Sequence, residues 1–332
     1  MKPLQLKYVA LRYPYLFTLA ILVVVFIINF ILQPNLIETR VLNGNLRTFL
    51  PLMIVVVGQT LVIIGGGIDL SIGAILSLVA AVLVTNLPLD ATTPQILSVV
   101  ALGCGVGMAA GALNGFGVAV LRLPPIVTTY ATTFIFSGIA LLVLPRPGGS
   151  MPEALARFYR TATPLNIPLG IWVAALLILL WVVVRRTRYG NFLFAVGGKA
   201  EAAYATAVPV TFIRFTSYMG AGLFAALGAL ALTLGTGSGD PRIGTNMTLD
   251  SIVAVVLGGT RLSGGQGGVA GSIFGVVALG LIRNIISFAN VPSWNQTLVD
   301  ALIILTALAA PGVLQWIRTR VRRPVAGEEV TA

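Results

Sequence analysis

The 332-residue chain contains no histidine and a single cysteine, Cys104, set in an apolar, glycine-rich run. A disulfide framework within one chain, a zinc site and a His-based catalytic centre are thereby excluded. These absences remove most enzyme mechanisms, so no catalytic and no metal-binding residue is assigned. Charge is scarce as well. Asp, Glu, Lys and Arg make up 9% of the chain, against about a quarter in a soluble domain. Hydrophobic residues make up 57%, and the mean hydropathy is +0.97. Such a composition belongs in a bilayer.

A helix needs about 20 apolar residues to cross the hydrocarbon core, which leaves room for about ten spans and short connections. The apolar runs place them at 14–32, 46–64, 74–87, 95–121, 126–144, 168–184, 212–234, 249–258, 269–288 and 298–316. The fold class is all-α: a polytopic membrane protein with one transmembrane domain over 1–332. The first run follows a basic flank, but it is longer than a signal-peptide core and no small-residue cleavage site follows it. It is read as a retained span. The net charge of +11 is spread over the ends of apolar runs, the distribution that membrane orientation requires, and no nucleic-acid partner is inferred. With ten spans both termini share a side. That side holds fourteen of the 21 basic residues, Lys2, Arg122, Arg185 and Arg318 among them, and is therefore cytoplasmic.

The longest charged interruption is the cytoplasmic loop 185–211 between spans 6 and 7, beginning Arg185-Arg186-Thr187-Arg188-Tyr189-Gly190. Within it, Lys199 to Ala207 reads as a short helix of strong helix formers. Gly197-Gly198 opens it and Val208-Pro209 stops it, since a residue before proline is pushed out of the α region. About two turns of helix are unstable alone, and one that carries Lys199 and Glu201 beside basic flanks is suited to docking on a cytoplasmic partner.

Other motifs carry weaker signals. Gly103, Gly105, Gly107, Gly111 and Gly115 recur along span 4, and small residues at four-residue spacing allow close helix approach in lipid. An internal echo relates Gly66-Gly67-Ile68-Asp69-Leu70-Ser71-Ile72-Gly73 to Gly258-Gly259-Thr260-Arg261-Leu262-Ser263-Gly264-Gly265, each at the cytoplasmic end of a short apolar run. Repeated interrupted spans occur in transporters, where broken backbone lines a cavity. Gly258 and Gly259 are read as turn residues, and Asp69 as the N-cap of span 3, with Ser71 an alternative. Intramembrane acids are functional candidates by default. Thr129, Thr133 and Ser137 share one face of span 5. Together with Asn114 they form a candidate substrate pathway, helix packing through the same hydroxyls being the other reading. Leu262-Ser263-Gly264-Gly265-Gln266 spells the signature of ABC-type ATPases. Such an ATPase also needs a phosphate loop ending Gly-Lys-[Ser/Thr], and here Gly198-Lys199 runs on into Ala200. The pentapeptide is therefore read as a turn with no nucleotide role.

Taken together, Gly66 to Gly73, Leu113-Asn114-Gly115 before Leu123-Pro124-Pro125, Arg186 to Gly190, Gly197-Gly198-Lys199-Ala200-Glu201-Ala202-Ala203 and Gly258-Gly259-Thr260 resemble the permease subunits of bacterial ribose-type sugar ABC importers. The likeness runs from about Leu46 to Gly312. It implies a ten-helix permease of the inner membrane, paired with a second copy or a homologue, with ABC ATPase chains below and a periplasmic sugar-binding protein above. It further implies that Gly197, Gly198, Lys199, Glu201, Ala202, Ala203 and Tyr204 couple to the ATPase. ATP and magnesium are expected on that partner, with no cofactor in this chain and membrane lipid around it. The chain departs from the family in two places: Lys199 stands for the usual Asn, and Thr206-Ala207-Val208 for the usual Ser-Gly-Ile. The alternative is an ion-coupled secondary transporter of a small polar solute, for which only Asp69 and Asp300 are candidate acids.

Overall fold

The computed structural model describes residues 15–289 and, beyond them, positions 295, 298, 302 and 305. Met1–Ala289 is one compact unit and Asn290–Ala332 a second. Most of the expected span 298–316, Asp300 and both chain ends lie outside the described residues.

Every regular element among the described residues is a helix. In chain order they are α1 (Tyr15–Leu32), α2 (Thr39–Ile64), α3 (Ile72–Asn86), α4 (Thr93–Gly115), α5 (Pro125–Val143), α6 (Glu153–Thr161), α7 (Leu169–Arg186), α8 (Arg188–Gly198), α9 (Ala200–Ala205), α10 (Val210–Thr236), α11 (Met247–Leu257) and α12 (Val269–Phe288). Six of them, α2, α4, α5, α7, α10 and α12, are long and apolar enough to cross a membrane. Three shorter apolar helices, α1, α3 and α11, accompany them.

Most boundaries follow local chemistry. Thr92 and Gln95 form a capping box at the start of α4, the Thr92 N–H donating to the Gln95 side-chain oxygen at 2.8 Å. At its far end α4 widens into a π-helical turn, Phe116–Val120, and breaks at Arg122, whose φ is +57°. Pro125 then starts α5 at a position where the missing N–H costs nothing. α2 starts at Thr39 rather than at 46 because its first turns are polar yet still tied down: the Asn43 amide donates to the Arg160 carbonyl at 3.0 Å. The connection 145–167 is more ordered than its sequence suggests. It contains the amphipathic α6, with Ala156 and Tyr159 buried and an exposed Glu153–Arg157 pair at 2.6 Å that holds the Glu153 carboxyl below its ordinary range. Burial of Tyr159 pushes its phenol up.

α2 and α10 form the centre. α10 packs against α2, α3 and α4, and α3 against α5; on the other side α12 packs against α1, α2 and α11. Within its most apolar window α2 is 89% buried, whereas α5 is 22% buried, so α5 turns most of its apolar surface outward and α2 is enclosed by protein. The α4–α10 contact uses the glycine stripe directly. A methyl group on Gly107, Gly111 or Gly115 would strike the backbone carbonyl oxygens of Gly222, Tyr218 or Phe215, while one on Gly105 meets nothing within 4 Å. In lipid such close backbone contact replaces the hydrophobic drive. Gly111→Ala is expected to lower the thermal stability of the purified protein by about 1–3 kcal/mol, the typical cost of overpacking, and Gly105→Ala to leave it unchanged. Equal melting temperatures for the two variants would show that the stripe does not hold α4 to α10.

Candidate functional site

Two polar constructions stand out in this apolar body. The first lies where α2 ends and α3 begins. Helix α2 closes through Gly65 and the left-handed Gly66 (φ +81°), whose N–H groups reach the Leu61 and Ile63 carbonyls, and the Gly67 N–H returns to the Val62 carbonyl at 3.0 Å. This is a Schellman closure, and only glycine takes the Gly66 conformation without strain. α11 ends the same way: Gly258 caps it, Gly259 (φ +85°) donates to the Val256 carbonyl and Thr260 to that of Val255. The internal echo is therefore structural. Its register differs by one residue from the sequence match, Gly65-Gly66-Gly67 corresponding to Gly258-Gly259-Thr260.

Beyond Gly67 the chain is held by side chains from three helices. The Asp69 carboxylate accepts from the Ser71 N–H at 2.8 Å and from the Ser71 hydroxyl at 2.7 Å. The Asn114 amide of α4 donates to the Ser71 oxygen, and the Thr132 hydroxyl of α5 donates to the Asn114 carbonyl oxygen, both at 2.6 Å. The Leu70 N–H donates to the Thr129 oxygen at 3.0 Å, the Thr133 hydroxyl donates to the Leu70 carbonyl at 3.1 Å, and Tyr218 of α10 reaches the Ile68 carbonyl at 3.4 Å. Ser71 occupies the N-cap position of α3. Asp69 stands two residues before it and braces the turn. Of the pathway candidates, Asn114 and Thr129 are fully buried in this knot, while Thr133 and Ser137 are half-buried on the same face of α5.

The second construction is the charged loop 185–211. Arg188 to Gly198 is itself helical, with the Thr187 hydroxyl accepting from the Gly190 N–H at 3.3 Å, so Gly197-Gly198 ends α8 instead of opening the next helix. α9 is shorter than the expected Lys199 to Ala207. Lys199, extended at φ −157°, precedes it, and Ala207 lies beyond its end in the left-handed region at φ +61°. An alanine held in that conformation carries about 1 kcal/mol of strain. On α9, Ala203 is buried as the inward anchor; Lys199, Glu201, Ala202 and Tyr204 are exposed, Tyr204 by 76%. Beside it lies an apolar groove of ≈ 450 Å³ lined by Val120, Tyr204, Val208, Val210, Phe212 and Phe215.

Sequence reasoning passed over two residues. Asp250, in the first turn of α11, is buried and forms an ion pair with Arg283 of α12 at 2.7 Å; its signal was an acid opening an apolar run. Gln59, within α2, is fully buried, and neither atom of its amide meets a hydrogen-bond partner among the described residues. Its neighbour Thr60 is bonded to Ser272 of α12 at 2.8 Å. No group of three or more His, Cys, Asp or Glu able to hold a metal occurs among the described residues.

Known proteins resemble the chain along most of its length. The family described as "Branched-chain amino acid transport system / permease component" matches residues 41–308. The ribose import permease protein RbsC of Escherichia coli (strain K12) is 32% identical over 295 residues, spanning 87% of this chain and 91% of that protein. The RbsC of Bacillus subtilis (strain 168) is 34% identical over 294 residues, 87% and 90% of the two chains. The fructose import permease protein FrcC of Rhizobium meliloti is 35% identical over 276 residues, 80% and 75%. No solved structure matches.

An unpaired buried amide costs its full desolvation. Gln59→Leu, of similar volume, is therefore expected to raise thermal stability, by about 1–3 kcal/mol. A lower melting temperature would show that the amide is bonded in the working protein.

Proposed function

Because the chain belongs to the permease-component family of ATP-binding-cassette importers, a multi-pass inner-membrane family, we propose that it carries a monosaccharide, ribose or a similar sugar, into the cell. The observation that carries the substrate class is the likeness to two ribose import permeases over 87% of the chain. The family's description speaks of amino acids, but the charges in this body favour a neutral cargo. Among the described residues the buried charged side chains are Asp69, engaged with Ser71, and Asp250, paired with Arg283. The second carboxylate oxygen of Asp69 meets no hydrogen-bond partner among the described residues, but no basic side chain is buried among them to clamp the carboxylate of an amino acid, whereas hydroxyls and amides suit a sugar.

The chain acts with partners. α9, with Gly197, Gly198 and Lys199 before it and Glu201, Ala202, Ala203 and Tyr204 on it, docks on an ABC ATPase, which holds ATP and magnesium. The apolar groove beside Tyr204 supports a docking role by widening that surface. A periplasmic sugar-binding protein delivers the cargo, and the outward apolar face of α5 suits a second permease, identical or homologous, as well as lipid. The full chain has ten spans with both termini cytoplasmic, the ninth described apolar helix, α12, being followed by one more. The cargo passes the α5 face. Thr129 and Asn114 frame it from within the knot, and the half-buried Thr133 and Ser137 are the hydroxyls nearest to an open path. Each hydrogen bond there adds only about 1 kcal/mol net, which favours release over retention.

Two experiments test this. Glu201→Arg is expected to abolish ATP-dependent uptake of labelled ribose, or to lose the ATPase, while the permease still inserts; unchanged uptake with a retained ATPase would remove α9 from coupling. Thr133→Val keeps volume and removes a hydroxyl, and is expected to lower uptake several-fold, in line with about 1 kcal/mol, while stability falls by no more than the loss of its one bond to Leu70 entails, about 1 kcal/mol. Lower stability with uptake per folded complex preserved would assign Thr133 to packing alone.

A further inference from the structure

The segment from Ile64 to Ser71 is fastened at both ends. Its inner end is the knot that ties Ile68, Leu70 and Ser71 to α4, α5 and α10. Its outer end is a seam of backbone on backbone. The Ile64 carbonyl, the last of α2, accepts from the Gly265 N–H at 3.0 Å. Gly197, the residue before the last of α8, lies flush against that same pair. A methyl group on it would overlap the Ile64 carbonyl oxygen and come within 2.8 Å of the Gly265 nitrogen. Gly264 closes the third side, its missing methyl direction pointing 2.7 Å from the Gly197 carbonyl oxygen and 2.9 Å from the Gly66 Cα. Gly264 and Gly265 have φ of +83° and +71°, so the loop 262–266 is folded into a shape that an L side chain resists, and the product of that shape is the seat for Gly197.

We propose that this seam makes Ile64 to Ser71 the strap that carries movement of the cytoplasmic helix α9 to the threonine face of α5, with Gly197, Gly264 and Gly265 as its positioning residues. α9 follows Gly198 with one residue between, Lys199, and so moves with Gly197. Gly197 has no side chain through which to slide; its contacts are main-chain atoms of α2 and of loop 262–266, and packed backbone transmits displacement without rotamer slack. A push at Gly197 thus arrives at Ile64, and through a segment held by hydrogen bonds at Ile68, Leu70 and Ser71 it arrives at Thr129, Thr133 and Asn114. The pentapeptide that imitates an ATPase signature has a mechanical part in this chain. The inference rests on the reading of α9 as the ATPase contact.

The experiment uses the assembled transporter in vesicles. If the wild-type assembly shows no ATP-dependent uptake, it is the functional reading that fails. Where it does, Gly197→Ala is expected to keep the ATPase bound and hydrolysing while uptake falls about tenfold or more, the range of ordinary coupling energies. Gly44→Ala, whose new methyl meets nothing within 4 Å, stays within about twofold of wild type. Combined with Thr129→Val, the Gly197→Ala loss does not multiply, because both break one strap; independent, multiplying losses overturn the proposal, as does full uptake in Gly197→Ala. Should that variant not insert, amide hydrogen exchange on the wild-type assembly decides. ATP binding is expected to change protection at Gly265 and Leu70 together, and a change at only one, or at neither, overturns the strap.

Discussion

A carbonyl at the end of a helix within a bilayer protein has no bulk water to bind, and leaving it unmet costs several kcal/mol. The four last carbonyls of α2 are all met. Leu61, Val62 and Ile63 are closed by the N–H groups of Gly65, Gly67 and Gly66, and Ile64 by Gly265, some 200 residues away along the chain. α11 obeys the same rule, its Leu257 carbonyl accepting the hydroxyl of Thr18 from α1. Two helix endings that local sequence finishes only in part are thus completed by distant segments. That requirement draws the loop after α11 onto the end of α2 and α1 onto the end of α11, and it sets where loop 185–211 can land.

The same demand explains why the polar residues of this body are clustered. Asp69, Ser71, Asn114, Thr129, Thr132 and Thr133 lie in one knot because the break between α2 and α3 exposes N–H and C=O groups that only side chains can reach. The hydroxyls proposed to line the path of a sugar also hold the backbone, so that proposal places both roles on the same atoms. Each is a single hydrogen bond of modest worth, and on this face of α5 Thr133 and Ser137 are the half-open hydroxyls.

Much of this was legible beforehand, and the failures have identifiable causes. The apolar runs located the helices, with α12 falling on 269–288 as its composition required. Pro124-Pro125 and Gly65-Gly66 marked real breaks, and the glycines of α4 marked a real contact. The short helix of loop 185–211 was misdrawn because Gly197-Gly198 reads as its opening, whereas the pair ends α8. Its actual constraint is steric, from Ile64 and Gly265, and no local pattern reports a neighbour so remote in sequence. α6 was missed since nine residues of mixed polarity within a Pro- and Gly-rich connection carry little period, and Tyr159 is buried by tertiary contact. Asp250 and Gln59 were overlooked because a lone polar residue in an apolar run looks alike whether its partner is Arg283 or nobody.

Enclosure of α2 has a consequence in time. Its chief neighbour α10 ends at Thr236 and its neighbour α12 at Phe288, long after Ile64 has been made. At about 5–20 residues per second of synthesis, roughly ten to thirty seconds separate α2 from a finished α10. Throughout that interval the helix that becomes the interior of the protein lacks its chief neighbours. The stretch from Thr48 to Ile68 carries no charge, which suits a helix that waits in lipid for the partners that later enclose it.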